Sequence, residues 1–143
     1  MFDYLKAEIS LLKESDKIYA NVFTYDSLEY AGLTDGYICV CIPISQCHLN
    51  ILKLRQTNIQ NLIDGIEFSA YKPVTLNDLC KRKDKNITLR FDGANEPIYV
   101  NEKYFKRFPE CKFFGKDGES ALIAKDYSGI LVGLISPMRG VKW

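Results

Sequence analysis

The last third of the chain, residues 98–139, restricts the possible folds more than any other stretch, because it carries signals for five consecutive secondary-structure elements. After a short extended run, Asn101 is a good N-cap for a helix over residues 102–108, which Pro109 would end. Three apolar runs separated by turn-rich segments follow, over residues 111–114, 120–124 and 129–135. This stretch is therefore predicted to run strand, helix, then three strands.

The first third of the chain combines one helical pattern with three strand patterns. Phe2, Leu5, Ile9 and Leu12 are spaced by three and four residues, which predicts an amphipathic helix over residues 2–15. Alternating or apolar runs bounded by turn residues then predict strands over residues 17–25, 28–33 and 37–43.

The middle of the chain has less regular patterns. Leucines at helical spacing favour a helix over residues 45–60. Asp64-Gly65 lies between two apolar runs and is a two-residue hairpin signal. Thr75 and Asp78 have the spacing of a capping box, which predicts a helix over residues 76–81.

These patterns together predict one α+β domain over residues 1–143, with a mostly antiparallel sheet and two or three helices packed on one face. A chain of this length buries enough surface to fold without disulfides or metal. A further strand is predicted over residues 86–91. The core between the C-terminal helix and the sheet is predicted to contain Phe105, Phe108, Phe113, Leu122, Ile130, Val132 and Leu134.

The charge balance gives no general attraction to nucleic acid, since 19 basic and 18 acidic residues leave a net charge of +1. DNA contact would need a local patch, and weak binding is expected unless several copies assemble. One basic run, residues 81–85, is better explained as a solvated turn. The other basic set is on the predicted C-terminal helix, and its members are Lys103, Lys106 and Arg107.

The sequence has neither an apolar run of about 18 residues nor a signal peptide, so we expect a cytoplasmic protein without a membrane partner. Five cysteines without regular spacing also favour a reducing compartment. Cys39, Cys41, Cys47 and His48 could be drawn as a zinc site. Because structural zinc sites usually take two pairs separated by a long loop, buried thiols are the preferred interpretation and no metal is predicted.

Catalysis has little support in the sequence. His48 is the single histidine, and no nucleophile elbow, phosphate-binding glycine loop or zinc-protease motif is present. Cys47 and His48 are sequence neighbours whose side chains would point apart on a strand, so they would not form a nucleophile and base pair. We therefore expect no enzymatic activity and no cofactor.

The C-terminal element order, with a tyrosine on the helix and Pro-Met-Arg after the last strand, resembles the final domain of the bacterial replicative sliding clamp, the polymerase III beta subunit. The matching residues are Asn101, Lys103, Tyr104 and Phe105, then Ser120 to Ile123, and Pro137, Met138 and Arg139. Upstream, residues 33–37 resemble the Thr-Asp-Gly-His/Tyr turn between two strands of a clamp domain.

The resemblance implies a clamp-like fold and a groove that takes a short extended peptide from a partner. The positions that match the groove border are Thr34, Gly36, Tyr37, Pro137 and Met138. Arg139 and Trp143 are added to this hypothetical binding surface, because exposed Arg and Trp often dominate interfaces. Two alternatives stay open: Pro137 to Arg139 as a plain strand end, and Trp143 folded back on its own core.

The chain also departs from clamps, which carry three such domains, form a ring and thread DNA through it. Ile38 stands where a basic residue usually follows the turn, and Ser136 replaces the hydrophobic residue before Pro-Met-Arg. We expect a phage-encoded, non-enzymatic protein that acts through a protein partner, by assembling several copies or by mimicking part of a replication clamp. The alternative is a small inhibitor of a host-defence factor, such as an anti-CRISPR protein; an enzyme ranks last.

Overall fold

The structure is a computed structural model that describes residues 2–14, 18–82 and 87–138. The chain divides into an N-terminal unit, Asp3–Glu67, and a C-terminal unit that runs from Phe68 onward and includes Phe2. Both units combine helix with mostly antiparallel strands, so the predicted α+β class is confirmed. The prediction of a single domain stays a prediction.

The N-terminal unit is a four-stranded sheet with two α-helices. Its elements are α1 (Tyr4–Glu14), β1 (Tyr19–Tyr25), β2 (Leu28–Thr34), β3 (Ile38–Pro43), β4 (Arg55–Gln56) and α2 (Ile59–Asp64). The strand order is β4-β1-β2-β3, in which β1 and β4 are parallel and the other pairs antiparallel. The predicted helix and the three predicted strands of this region are confirmed within a few residues.

The helix α1 exposes three of the four apolar residues that identified it, whereas Phe2 precedes the helix and is buried. Leu5, Ile9 and Leu12 are 47%, 45% and 38% exposed. The buried residues of this helix are instead Ala7, Glu8 and Leu11. The Glu8 carboxylate accepts a hydrogen bond from the backbone N–H of His48 at 3.1 Å, and this contact helps to set which face of the helix is buried.

The predicted helix over residues 45–60 is wrong. Two single 3-10 turns, Ile44–Gln46 and Ile51–Lys53, precede the short strand β4. Amide side chains bond to the backbone here and compete with a helix: the side chain of Gln56 donates to the carbonyls of Ile51 and Leu54 at 2.7 and 2.9 Å.

The predicted hairpin at Asp64-Gly65 is also wrong, because this dipeptide lies at the end of α2. The Asn58 side chain caps the helix by accepting from the N–H of Asn61 at 3.0 Å, and Ile59 and Ile63 bury one side of it. Gly65 then donates to the carbonyl of Asn61 at 3.1 Å and closes the last turn.

The C-terminal unit is a six-stranded antiparallel sheet with one short helix. Its elements are β5 (Lys72–Arg82), β6 (Thr88–Asp92), β7 (Ile98–Asn101), α3 (Glu102–Phe105), β8 (Lys112–Gly115), β9 (Leu122–Lys125) and β10 (Leu131–Ile135). The strand order is β10-β9-β8-β5-β6-β7. The predicted order strand, helix, three strands is confirmed in β7, α3, β8, β9 and β10, although α3 ends three residues earlier than predicted.

The predicted helix over residues 76–81 is wrong, because these residues belong to β5. Thr75, the predicted cap, pairs with Asp92 of β6, and Leu76 pairs with Phe91. Antiparallel pairing with β6 therefore overrides a local signal that resembles a capping box.

The core of the C-terminal unit includes most of the residues predicted for it. Phe108, Phe113, Leu122, Val132 and Leu134 are buried, whereas Phe105 and Ile130 are half-buried. The Phe108 ring lies against the backbone of β10 at Gly133, where a Cβ atom would overlap the ring. No helix in the described ranges has the length and apolar character needed to cross a membrane.

Candidate functional site

The predicted turn residues Thr34, Gly36 and Tyr37 connect β2 to β3. The Thr34 hydroxyl donates to the carbonyl of Ile38 at 2.7 Å and accepts from the N–H of Gly36 at 3.0 Å. The Asp35 carboxylate accepts from the N–H groups of Tyr37 and Ile38 at 2.8 and 3.0 Å. Gly36 has a φ of 96°, which favours glycine. The polar side chains of the turn thus form hydrogen bonds within the turn itself. The Tyr37 side chain is 61% exposed.

Pro137 and Met138, the other predicted border residues, belong to the C-terminal unit. Both are half-buried. The N–H of Met138 donates to the carbonyl of Tyr99 on β7 at 2.7 Å, and its sulfur lies 3.5 Å from the Thr88 hydroxyl on β6. Met138 therefore anchors the segment after β10 on β6 and β7. Arg139 and Trp143 lie outside the described residues.

The predicted nucleic-acid residues Lys103, Lys106 and Arg107 lie on α3 or directly after it. The Lys103 ammonium lies over the Tyr104 ring, 5.5 Å from its centroid. Lys106 forms an ion pair with Glu102 at 3.0 Å. Arg107 is half-buried, and one of its terminal nitrogens is inaccessible to solvent. Part of this charge is therefore balanced or buried within the unit.

A groove in the C-terminal unit is the most distinctive site among the described residues, and no pattern in the sequence indicated it. The pairing of β5 with β8 ends at Val74 opposite Phe113, and its pairing with β6 begins at Thr75 opposite Asp92. An open groove of about 610 Å³ lies at this point, and it is lined by residues 73–76 and 111–114 together with Phe91 and Phe105.

The apolar side of the groove is formed by three phenylalanines. The ring centroids of Phe91 and Phe113 are 5.4 Å apart, those of Phe91 and Phe105 5.7 Å, and those of Phe105 and Phe113 5.3 Å. Phe91 is buried, whereas Phe105 is half-buried and offers part of its ring to the groove. Such clusters bury large apolar area and suit an apolar anchor from a ligand.

The opposite face of β8 carries positive charge. Successive residues of a strand point to opposite faces, so Lys112 and Phe114 lie on the face opposite Phe113. Lys112 is directly across from Lys125 of β9. Like charges in this position repel each other. Each ammonium lies over an aromatic ring, Lys112 over Tyr127 at 5.5 Å and Lys125 over Phe114 at 5.4 Å, which offsets part of the repulsion.

Asp92, which pairs with Thr75 at the start of the β5–β6 pairing, already accepts two side-chain hydrogen bonds. Its carboxylate accepts from the Arg90 guanidinium at 2.8 Å and from the Asn77 amide at 2.8 Å. The bond from Arg90, followed by that from Asn77, lowers the pKa of Asp92. Asp92 therefore stays ionised and paired with Arg90 and Asn77.

The cysteines whose side chains the structure describes, Cys39, Cys41, Cys47 and Cys111, are free thiols. Cys39 and Cys41 are buried as predicted, and burial is the main cause of the raised pKa of Cys41. Burial likewise raises the pKa of Cys47, and the nearby Glu8 carboxylate raises it further. A nucleophilic cysteine needs the opposite shift. The described residues contain no group of three or more His, Cys, Asp or Glu side chains that could hold a metal ion.

Cys111 lines the groove and is half-buried. Burial raises its pKa to about 12, and the charges of Asp126 and Glu110 contribute to this shift. At neutral pH it is therefore a protonated thiol that adds to the apolar lining.

Comparisons of the chain with protein-family models, with curated proteins and with solved structures gave no match.

Proposed function

We propose that this chain is a non-enzymatic binding protein that holds an extended segment of a protein partner in the groove between β5 and β8. The observation that carries this proposal is the open groove at the point where the pairing of β5 with β8 ends, at Val74 and Phe113. In the described part of the chain β8 and β5 are neighbours in the strand order, with no strand between them. Where the pairing of two neighbouring strands ends, an extended segment can bond to the strand edges, which is how peptides are bound by strand addition.

The size and lining of the groove support this proposal. About 610 Å³ is in the range of sites that hold small ligands or a few side chains, roughly 300–1,000 Å³. The phenylalanines supply a desolvated pocket for an apolar anchor, while the strand edges fix the direction of the backbone. Affinity would come from both contributions.

The clamp-like character of the protein is part of the same proposal. The order of β7, α3, β8, β9 and β10 supports it, as do the two sequence segments that resemble sliding clamps. The partner would then be a replication factor or a host-defence factor. The groove described above is separate from the Thr34 turn and the Pro137 segment that the resemblance suggests.

Site-specific photocrosslinking tests this proposal. A benzophenone amino acid replaces Thr75, an exposed residue of the groove, and in a control protein it replaces Leu52, which is 82% exposed in the N-terminal unit. In host cells we expect Thr75 to capture a partner that Leu52 does not, and peptide mapping should place the crosslink in an extended segment. Equal capture from both positions would refute the groove as the binding site.

A further inference from the structure

The exposed side of α1 combines apolar side chains with positive charge. Leu5, Ile9 and Leu12 are spaced by four and three residues, so they form one apolar line along the helix, and all three are exposed. Lys6 and Lys13 each follow a member of this line by one residue and are exposed as well. Both lysines therefore lie on the same side of the apolar line.

This spacing is the one by which two helices pack side by side. Apolar residues that recur after four and three residues form the seam of coiled-coil pairs, and charged residues next to the seam set the choice of partner. From Leu5 to Leu12 the line is about 10 Å long, because each residue rises about 1.5 Å along a helix. A partner helix of two or three turns would cover it.

A second copy of the chain does not supply the matching charge. In an antiparallel pair of α1 helices, the lysines of one copy would lie beside the lysines of the other. In a parallel pair, the position that faces Lys13 is that of Glu8. Glu8 is buried, and its carboxylate accepts from the backbone N–H of His48 within its own unit. An acidic helix of another protein supplies the charge that a second copy lacks.

We infer that α1 binds an amphipathic helix of another protein, with apolar side chains of that helix on Leu5, Ile9 and Leu12 and acidic side chains at Lys6 and Lys13. The surface belongs to the N-terminal unit, so the inference does not depend on the proposed function of the groove. The two lysines on one side of the apolar line commit the occupant to an acidic helix rather than a neutral one.

A fluorescent helical peptide provides the direct test. The probe has three repeats of Leu-Ala-Ala-Leu-Glu-Ala-Glu, which place glutamates on both sides of a leucine line, and the matched peptide carries Gln at every Glu position. At nanomolar peptide and low salt we expect the Glu peptide to bind about fivefold more tightly, the effect of two exposed ion pairs. At about 0.5 M salt this advantage should disappear. Equal binding of both peptides, or binding of neither, overturns the inference.

Two pairs of variants place the effect on α1. Ile9→Ala should weaken both peptides about fivefold, whereas Leu28→Ala, on β2 and equally exposed, should leave them unchanged. Lys6→Glu should remove the advantage of the Glu peptide, whereas Lys53→Glu, an exposed lysine of the same unit, should retain it. The melting temperature of each variant verifies that it is folded. Unchanged binding in Ile9→Ala, or an unchanged advantage in Lys6→Glu, contradicts the inference.

The Ile9→Ala variant also separates other occupants of this surface. Light scattering detects self-association, and vesicles of phosphatidylserine and phosphatidylcholine test an anionic lipid surface. If neither peptide binds, and self-association or vesicle binding is lost in Ile9→Ala, the occupant is a second copy or a membrane and the inference is overturned. If Thr75 captures nothing beyond its control while the Glu peptide keeps its advantage, the proposed function fails and the inference stands.

Discussion

The groove changes the chemistry of a single side chain, Cys111, in a way that can be measured. Because burial raises the pKa of this thiol to about 12, its reactive thiolate should keep increasing about tenfold per pH unit up to about pH 10. An ordinary thiol levels off near its pKa of about 8.5. We expect a log-linear rise in the iodoacetamide rate between about pH 7.5 and 10 in a Cys47→Ser, Cys80→Ser background.

Intact mass and peptide mapping follow that reaction at Cys111, since Cys39 and Cys41 are buried. Circular dichroism at each pH verifies that the protein stays folded. A rate that levels off at about pH 9 would show an exposed thiol and would contradict the described lining of the groove.

Adding a single methyl group at Gly133 should lower the free energy of unfolding markedly. A methyl group there would overlap the Phe108 ring, which is buried against the β10 backbone. Overpacking of this kind costs about 1–3 kcal/mol, so Gly133→Ala should lower the free energy of unfolding by that amount. Urea unfolding of Gly65→Ala provides the control, because its Cβ would meet only the carbonyls of Asn61 and Leu62 at 3.4 and 3.6 Å. A change below about 0.5 kcal/mol in Gly133→Ala would show that Phe108 packs elsewhere.

At the scale of the element, α1 gives a matched pair of substitutions. Leu11 is 1% exposed, so Leu11→Ala should cost about 2–5 kcal/mol of stability. Ile9 belongs to the exposed apolar line, and Ile9→Ala should change stability by no more than about 0.5 kcal/mol. Chemical denaturation of both variants measures the difference, and the reverse ranking would place the apolar line on the buried face.

The elements that the sequence predicted well are those whose patterns are local. β1 to β3 and β8 to β10 have apolar runs bounded by turn residues, and α3 has the Asn101 cap, whose side chain accepts from the N–H of Lys103 at 2.9 Å. These signals need no knowledge of distant partners. The α+β class follows from them.

The elements that were missed depend on contacts between distant residues. β5 carries a cap-like Thr75, yet pairing with β6 determines its conformation. The groove could not be predicted either, since its lining combines residues of β5, β6, α3 and β8 that are distant in the sequence. Of the predicted site residues, the Thr34 turn forms as a turn, and Met138 proves to anchor the segment after β10.

At the scale of the whole molecule, the net charge of +1 limits any interaction with DNA. Within the basic set of Lys103, Lys106 and Arg107, Lys106 is paired with Glu102 and one nitrogen of Arg107 is buried. This set should therefore attract DNA less strongly than three exposed charges would. We expect the monomer to bind duplex DNA weakly, with affinity falling steeply as salt rises. Fluorescence anisotropy at several salt concentrations, with the mass in solution determined in parallel, tests this. Sub-micromolar, salt-resistant binding by a species shown to be monomeric would contradict it.

The facing lysines of β8 and β9 have a consequence for how the protein responds to its medium. Salt usually weakens surface ion pairs, but here it screens a repulsion between Lys112 and Lys125. Dissolved anions should therefore weaken this repulsion and stabilise the pairing of β8 with β9.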